Sequence, residues 1–389
     1  MEIKRIATFV VVCLGVAAGC SGQGAVRSSP PIATPSAAKS TGAGEVVTRS
    51  EQWGVIEGPK LSASAGLVDV VADGPRRAWA VGYEDGAEDR AGNPIVERWD
   101  GSAWKKATPS SREFYVSGFD VDGADDIWIV GEGDTAHWDG QRWSYPQPSG
   151  LQEDQTFTDV SIDRGRAVLI GEEGDTSFAV EWAGGRFGKR AVVSGRFAAV
   201  TARRDQVWVV GAALRDGCSA IRPAVWHASP GTGYAEMTVP DVPGGYLSQV
   251  WQISEDDVWA VGGIGGEEAP LFGCQAVEED IEQSEPLVMH WDGSSWRREI
   301  VPGGAGPLGS VTAFGPDDVW AIGPDRGDAM VALHFNGRAW AREYAYARRL
   351  DRLAVTAIPG TSQLWAVGTA GAESDYGQDV ILRRRRPPS

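Results

Sequence analysis

Short apolar segments, bounded by glycine, aspartate and other turn-forming residues, recur along the chain from about residue 50 onward. One segment is nearly continuous in apolar residues, as in DVWAVGG at 257–263, which is typical of a strand buried on both faces. It occurs seven times, and a fixed repeat of this kind indicates a repeat architecture. The equivalent residues of the seven copies are Trp79, Trp128, Val168, Trp208, Trp259, Trp320 and Trp365.

Two further segments flank each copy. A short strand-like segment precedes it, as in GSVTAF at 309–314, and an aromatic-rich segment with a tight turn follows, as in HWDGSSW at 290–296. Asp-Gly between two aromatic-bearing runs predicts a hairpin, because such turns need positive φ. Each repeat is therefore expected to supply four strands and no helix, as in a propeller blade. The count is seven, or six or eight if the degenerate copy around Val168 is misread.

The seventh copy lacks its last strand, and a matching segment lies before the first copy. SEQWGVIEGP at 50–59 resembles SSWRREIVP at 294–302, which contains the fourth strand of another copy. Pairing this N-terminal segment with the last blade would close the ring and remove exposed sheet edges. The sequence thus predicts an all-β protein, a seven-bladed β-propeller whose last blade is closed by the N-terminal strand.

The first fifty residues lack this pattern. Lys4 and Arg5 precede an apolar stretch that is too short for a permanent membrane span, and small residues lead to Cys20. Ala-Ala-Gly-Cys resembles the bacterial lipobox, which implies cleavage and lipid attachment at Cys20, although the lipobox prefers leucine where Ala17 stands. The alternative is a plain secretory signal. The expected parts are a lipoprotein signal peptide (1–20), a flexible Ser/Pro/Ala/Gly-rich tether (21–50) and the propeller (51–389).

The lipobox resemblance implies an extracytoplasmic protein, anchored to the cell membrane or outer membrane through its N-terminal lipid only. The formal net charge of -17 argues against nucleic acid as a partner and against adsorption to anionic lipid. The arginine run at 383–386 is expected to be solvated rather than to bind nucleic acid. We expect a monomer.

Most of the 17 tryptophans fall at repeated strand positions, which predicts packing between blades rather than ligand binding. The exception is Trp251, in the innermost strand of the fifth copy. It either plugs the central channel or offers a stacking surface, and Trp251 and Asp120 are the candidate binding residues in the channel. Alignment of the innermost strands groups Trp251 with mostly small or polar residues, namely Val71, Asp120, Ser161, Thr201, Thr312 and Thr356.

The histidines and the paired aspartates are also repeated. His137, His290 and His334 occupy one position in three different copies, so they are not expected to converge on a metal. Three copies carry an Asp-Asp pair in the hairpin before the buried segment, and these pairs are expected to cap backbone N–H groups of the turn. They are Asp125-Asp126, Asp256-Asp257 and Asp317-Asp318. We therefore predict neither a metal site nor catalytic residues at these positions.

The longest variable loops all follow the buried segment, and in a propeller they emerge on one face. Cys218 and Cys274 lie in two such loops of adjacent blades, which in an oxidising compartment predicts a disulfide. The second of these loops is acidic and is a candidate contact for a basic partner or for Ca²⁺, the alternative being a solvated loop. Its candidate binding residues are Glu267, Glu268, Glu278, Glu279 and Asp280.

The DDVWAVG and HWDGxxW motifs resemble those of secreted bacterial propellers with kelch-like or galactose-oxidase-like architecture, over about residues 50 to 386. Such propellers serve many functions, so the resemblance specifies the fold rather than the activity. We expect a non-enzymatic module without a cofactor that binds an envelope protein or a glycan through the long-loop face, or acts there as a scaffold. The alternative is an extracytoplasmic glycosidase or lyase on the same scaffold.

Overall fold

The computed structural model of the protein describes residues 52–385, except 63, 87–91, 108–112, 151–154, 175, 215–220, 230–231, 266–284, 328, 349 and 371–377. Within these ranges the backbone forms strands, turns and irregular segments, without any helix. The described part accordingly contains no helical segment with the length and apolarity that a membrane crossing requires.

The described strands form seven separate antiparallel sheets, which are the seven blades of a propeller. We name the four strands of each blade a to d, from the central channel outward. The first strand in the chain and the strands of blades one to three are β1 (Trp53–Ile56), β2 (Gly66–Ala72), β3 (Ala78–Glu84), β4 (Asn93–Trp99), β5 (Trp104–Ala107), β6 (Val116–Val121), β7 (Ile127–Gly131), β8 (Asp134–Trp138), β9 (Trp143–Ser144), β10 (Thr156–Asp163), β11 (Arg166–Glu173), β12 (Thr176–Ala183), β13 (Arg186–Phe187) and β14 (Ala191–Ser194).

Blades four to seven follow the same plan, whereas blade three has an additional outer strand, β14, which also pairs with its c strand. Blade seven takes its d strand from β1. The strands of blades four to seven are β15 (Arg196–Arg203), β16 (Gln206–Leu214), β17 (Ile221–Ala228), β18 (Ala235–Glu236), β19 (Gly245–Ser254), β20 (Asp257–Ile264), β21 (Glu285–Trp291), β22 (Trp296–Arg298), β23 (Ser310–Gly315), β24 (Asp318–Pro324), β25 (Met330–Phe335), β26 (Trp340–Tyr346), β27 (Leu350–Ala357), β28 (Leu364–Ala370) and β29 (Gln378–Arg384).

The closing strand confirms the prediction from the sequence. β1 pairs antiparallel with β29, with Trp53 opposite Arg384 and Ile56 opposite Ile381. The indole Nε1 of Trp53 also donates a hydrogen bond to Oε1 of Glu343 in blade six, at 2.6 Å. The two ends of the propeller are thus joined by backbone hydrogen bonds of one sheet, and the count of seven blades is confirmed.

The apolar core is divided among the gaps between blades. Seven buried clusters are present in the described residues, and each joins one blade to the next around the ring. The repeated b-strand tryptophans lie in these gaps. Trp259, for example, is 1 % exposed and its ring lies 5.6 Å from that of Trp340 in the following blade. The prediction that these tryptophans pack between blades is confirmed.

Each repeated histidine lies flat on the b-strand tryptophan of its own blade. The ring of His334 stacks on Trp320 at 3.9 Å between centroids, and its Nε2 donates to Oδ1 of Asp318 at 2.8 Å. The fourth histidine, His227, contacts Gln206 instead of an aspartate. The histidines therefore do not converge on one site. The same arrangement is formed by Trp128 with His137 and Asp126, and by Trp259 with His290 and Asp257.

Two predictions about charged residues were wrong. The second aspartate of each Asp-Asp pair bonds an imidazole, and the backbone caps come from the turn between the c and d strands. There Asp292 Oδ1 accepts from the backbone N of Ser294 and Ser295, both at 2.9 Å. Arg383 and Arg384 are not simply solvated, because their guanidinium groups lie over Trp365 and Trp320 at 4.8 and 4.1 Å.

Candidate functional site in the central channel

The a strands of the seven blades line a central channel. Their register confirms the alignment made from the sequence. The seven aligned residues of the a strands, which we call the column, each lie opposite the repeated tryptophan or valine of the b strand. A cavity of about 480 Å³ occupies this channel and is bordered by every a strand. The column consists of Val71, Asp120, Ser161, Thr201, Trp251, Thr312 and Thr356.

Several polar side chains of this column join adjacent blades. Oδ2 of Asp120 accepts hydrogen bonds from the backbone N of Ile162 at 2.8 Å and from Oγ of Ser161 at 3.2 Å, both in the next blade. Oγ1 of Thr312 likewise accepts from the backbone N of Ala357 at 3.0 Å. The inner edge of an a strand has no neighbouring strand, so these side chains satisfy N–H groups that would otherwise lack a protein partner. Asp120 therefore has a structural role in addition to facing the channel.

The channel wall also holds two carboxyl groups that the sequence analysis did not single out. Asp69 and Asp159 lie two residues before the predicted column, on blades one and three. Between them, on blade two, the equivalent position is Gly118, where a Cβ would lie 2.8 Å from Oδ1 of Asp159. The missing side chain leaves room for the Asp159 carboxyl. A comparison of the seven residues that lie two positions before the column would have revealed Asp69 and Asp159 from the sequence.

Desolvation in the channel wall raises the pKa of all three carboxyl groups. The pKa of Asp69 rises to about 7, chiefly through burial and partly through the charge of Asp120, while a hydrogen bond from the backbone N of Val70 opposes the rise. Burial also raises the pKa of Asp159 well above its ordinary value. Burial raises the pKa of Asp120 too, against the charge of Arg203. At neutral pH this wall can both donate and accept hydrogen bonds.

Trp251 lies at the boundary between two cavities. It borders the channel and also a cavity of about 300 Å³ at the end where the a and b strands are joined. Its ring is half-buried, and the guanidinium carbon of Arg203 lies 5.3 Å from the ring centroid. Both groups predicted to face the channel, Asp120 and Trp251, are thus present in its wall, with Arg203 as a neighbour of each.

The opposite mouth of the channel opens on the face of the b–c loops. A cavity of about 600 Å³ there is bordered by Tyr246, Gln249 and Arg326, among others. Arg352 also borders it and occupies a two-residue bulge in β27, with φ of 50°. Its Nη1 donates to the carbonyl oxygen of Val116 at 3.3 Å, so the side chain extends from blade seven to blade two, past blade one.

The remaining predicted sites lie outside the described residues. They are the lipidation site Cys20, the proposed disulfide partners Cys218 and Cys274, and the acidic residues of the blade-five loop, Glu267, Glu268, Glu278, Glu279 and Asp280. Within the described ranges, no group of three or more His, Cys, Asp or Glu side chains is arranged to hold a metal ion. Ca²⁺ binding at the blade-five loop stays a prediction.

Comparisons with known proteins identify the architecture. The sequence matches no family model and no curated protein sequence. Among solved structures it is similar to YCF48 bound to D1 peptide, with 14% identity and a TM-score of 0.52, covering 87% of this chain and 97% of that chain. It is also similar to the structure of U3-55K, with 13% identity and a TM-score of 0.54, covering 86% of this chain and 99% of that chain.

A third similar structure is the extracellular domain of a hybrid two-component system from B. thetaiotaomicron. Its identity is 10% and its TM-score 0.55, covering 87% of this chain and 40% of that chain. At these identities the likeness concerns the backbone arrangement and not the side chains of the channel. The blades, their register and these structural neighbours together establish the chain as a seven-bladed β-propeller.

Proposed function

We propose that this protein is an extracytoplasmic, lipid-anchored binding module that takes an envelope protein or glycan on its b–c face. The supporting observation is the mouth of the channel on that face. There Arg352 departs from the repeat, because it lies in a two-residue bulge where the other shifted a strands skip one residue, and it borders one cavity with Arg326 and Gln249. Departures from a repeat that converge in space are typical of a site added to a scaffold, and loops on a rigid scaffold commonly carry binding.

A protein partner suits this mouth because the polar groups there differ in charge and spacing. Arg352 and Arg326 border the same opening as Asp69 and Asp159, so a peptide could place an acidic group at the arginines and form hydrogen bonds with the carboxyl groups, whose pKa burial raises. YCF48, one of the similar folds, is bound to a peptide in its structure.

The proposal is tested by comparing Arg352→Glu with Arg164→Glu in pull-downs from envelope extract, using the mature chain as bait. Both arginines have positive φ, at 50° and 53°, but Arg164 lies in the hairpin that joins the a and b strands of blade three. We expect quantitative mass spectrometry to show a partner that Arg352→Glu loses and Arg164→Glu retains. An unchanged set of partners in Arg352→Glu would refute binding at this mouth.

The lipid anchor and the disulfide are separate parts of the proposal. Replacing Cys20 by serine should move the protein from the membrane fraction to the soluble fraction, because several acyl chains hold a protein firmly where one does not. Non-reducing peptide mapping should find Cys218 linked to Cys274. Unchanged partitioning of the Cys20 variant, or free thiols at both other cysteines, would contradict the respective assignment.

A second candidate function is favoured by the channel carboxyl groups. A carboxyl whose pKa is about 7, such as Asp69, can serve as a general acid or base at neutral pH, and Asp159 lies in the same cavity. A glycosidase or lyase would then act inside the channel. Turnover of 4-nitrophenyl glycosides that is lost in Asp159→Asn and retained in Asp122→Asn would support this candidate, and absence of turnover would remove it.

A further inference from the structure

The end of the channel away from the b–c face carries a second set of departures from the repeat. At this end the a strands of blades four, five and six finish at one cavity of about 300 Å³. Arg203, Trp251, Gln252 and Phe314 border it, together with Arg204. Side chains of three consecutive blades are thus brought to one opening, although they lie in separate repeats of the sequence.

Gln252 is the most unusual of them. It is 4 % exposed, and among the described residues neither its Nε2 nor its Oε1 has a hydrogen-bond partner. A buried amide with no partner destabilises a fold, so such a group calls for a specific explanation. Gln252 borders the cavity, so a turn of its side chain toward the opening would let a ligand supply the missing bonds. The equivalent residues of the other six blades are all apolar, namely Ala72, Val121, Ile162, Ala202, Ala313 and Ala357.

Trp251 also departs from its column, and its ring packs only partly against the core between blades five and six. Where Thr312 and Ser161 satisfy a backbone N–H of the next blade, an indole ring has no acceptor to offer. The half-buried ring instead faces the cavity, with the guanidinium of Arg203 at 5.3 Å. Among the described residues Arg203 forms no ion pair, so its donors are available to a ligand.

We propose that this cavity binds a neutral sugar ring of a glycan, with Trp251 as the stacking surface. The C–H face of a pyranose packs on an aromatic ring, and planar groups such as a guanidinium and an amide match pairs of neighbouring hydroxyls. The ligand is neutral because the carboxylate of Asp163 borders the same cavity and opposes the charge of Arg203. The site lies at the opposite end from the b–c mouth and does not rest on that proposal.

The test uses substitutions that restore the residue of the other blades. Trp251→Thr introduces the residue of blades four, six and seven, and Gln252→Ala introduces the residue of blades one, four, six and seven. Both variants should remain folded at the temperature of the titration. Gln252→Ala should have a thermal midpoint at or above that of the wild type, and Trp251→Thr a lower one, because the packing of its ring is lost. A fall in ligand affinity then reports the site rather than unfolding. Trp143→Phe, at a half-buried tryptophan on an outer strand, is the matched control.

The probes are maltotetraose, cellotetraose and chitotetraose, titrated into the mature protein and followed by calorimetry. At least one should bind saturably, with an affinity that falls by about tenfold or more in Trp251→Thr and in Gln252→Ala, and is retained in Trp143→Phe. Arg352→Ala, at the other mouth, should also retain it. Failure of all three sugars to bind, or equal binding by Trp251→Thr and wild type, would overturn the proposal.

Discussion

Glu97 lies at the seam where the last blade meets the first, and it offers a sharp test of the packing there. It is fully buried (0 % exposed), and within the described residues neither carboxyl oxygen has a hydrogen-bond partner. A Cβ placed on Gly58, just after the closing strand, would lie 3.6 Å from Oε2 of Glu97 and 3.3 Å from Oδ2 of Asp379. Two carboxyl groups therefore flank the same point of the seam.

This environment favours the neutral form of the carboxyl group. Burial and the nearby charge of Asp379 raise the pKa of Glu97 from 4.5 to about 8, although Lys106 opposes the rise. The folded protein therefore binds a proton that the unfolded chain releases between these two values. Stability from this group is fully present below pH 4.5 and is lost as the pH rises to about 8. The loss amounts to about 3 kcal/mol at pH 7 and about 5 kcal/mol above pH 8.

We expect Glu97→Gln to remove this pH dependence. The variant keeps a buried amide without a partner, and this amide does not titrate. The difference in unfolding free energy between variant and wild type is therefore a constant plus a pH-dependent part, which comes from the ionisation of Glu97 in the wild type. Between pH 5 and pH 8.5 the wild type should lose about 4 kcal/mol relative to the variant. The measurement is urea unfolding at both pH values, followed by tryptophan fluorescence.

Glu255→Gln is the matched control, because Glu255 is exposed in the turn after β19. It should follow the wild type at both pH values. A difference in unfolding free energy between wild type and Glu97→Gln that stays the same from pH 5 to pH 8.5 would refute the reasoning. The Glu97 carboxyl would then be solvated or paired, and the seam would be looser than its packing indicates.

Three other predictions concern the ring. Thr312→Val leaves a buried backbone N–H of blade seven without its acceptor, so urea unfolding should show a free energy of unfolding that is lower by about 1–3 kcal/mol. A loss smaller than that of a surface Thr→Val variant would contradict this. Gln206→Asp gives His227 the partner of the other histidines and should raise the thermal midpoint more at pH 5.5 than at pH 8. Removal of residues 1–56, but not 1–49, should produce oligomers in size-exclusion chromatography, because β29 becomes an open edge.

The sequence alone determined the blades and their closure. The repeated DVWAVG segment and the Asp-Gly turns are local signals, since side-chain alternation and positive φ are properties of a few consecutive residues. Seven copies of one pattern also implied seven copies of one packing arrangement, which is why the buried tryptophans were placed correctly. The closing strand could be recognised because it carries the same pattern as the other d strands.

The contacts between non-equivalent residues required the tertiary structure. The guanidinium of Arg203 lies over Trp251 of the next blade, and Arg352 reaches Val116 past an intervening blade. These contacts depend on the radius of the closed ring and on bulges that rotate individual side chains, and neither is encoded in the periodic pattern. The repeat specifies how each blade packs on the next. Which side chains face one another across the channel is decided only when the ring closes and brings distant repeats to one centre.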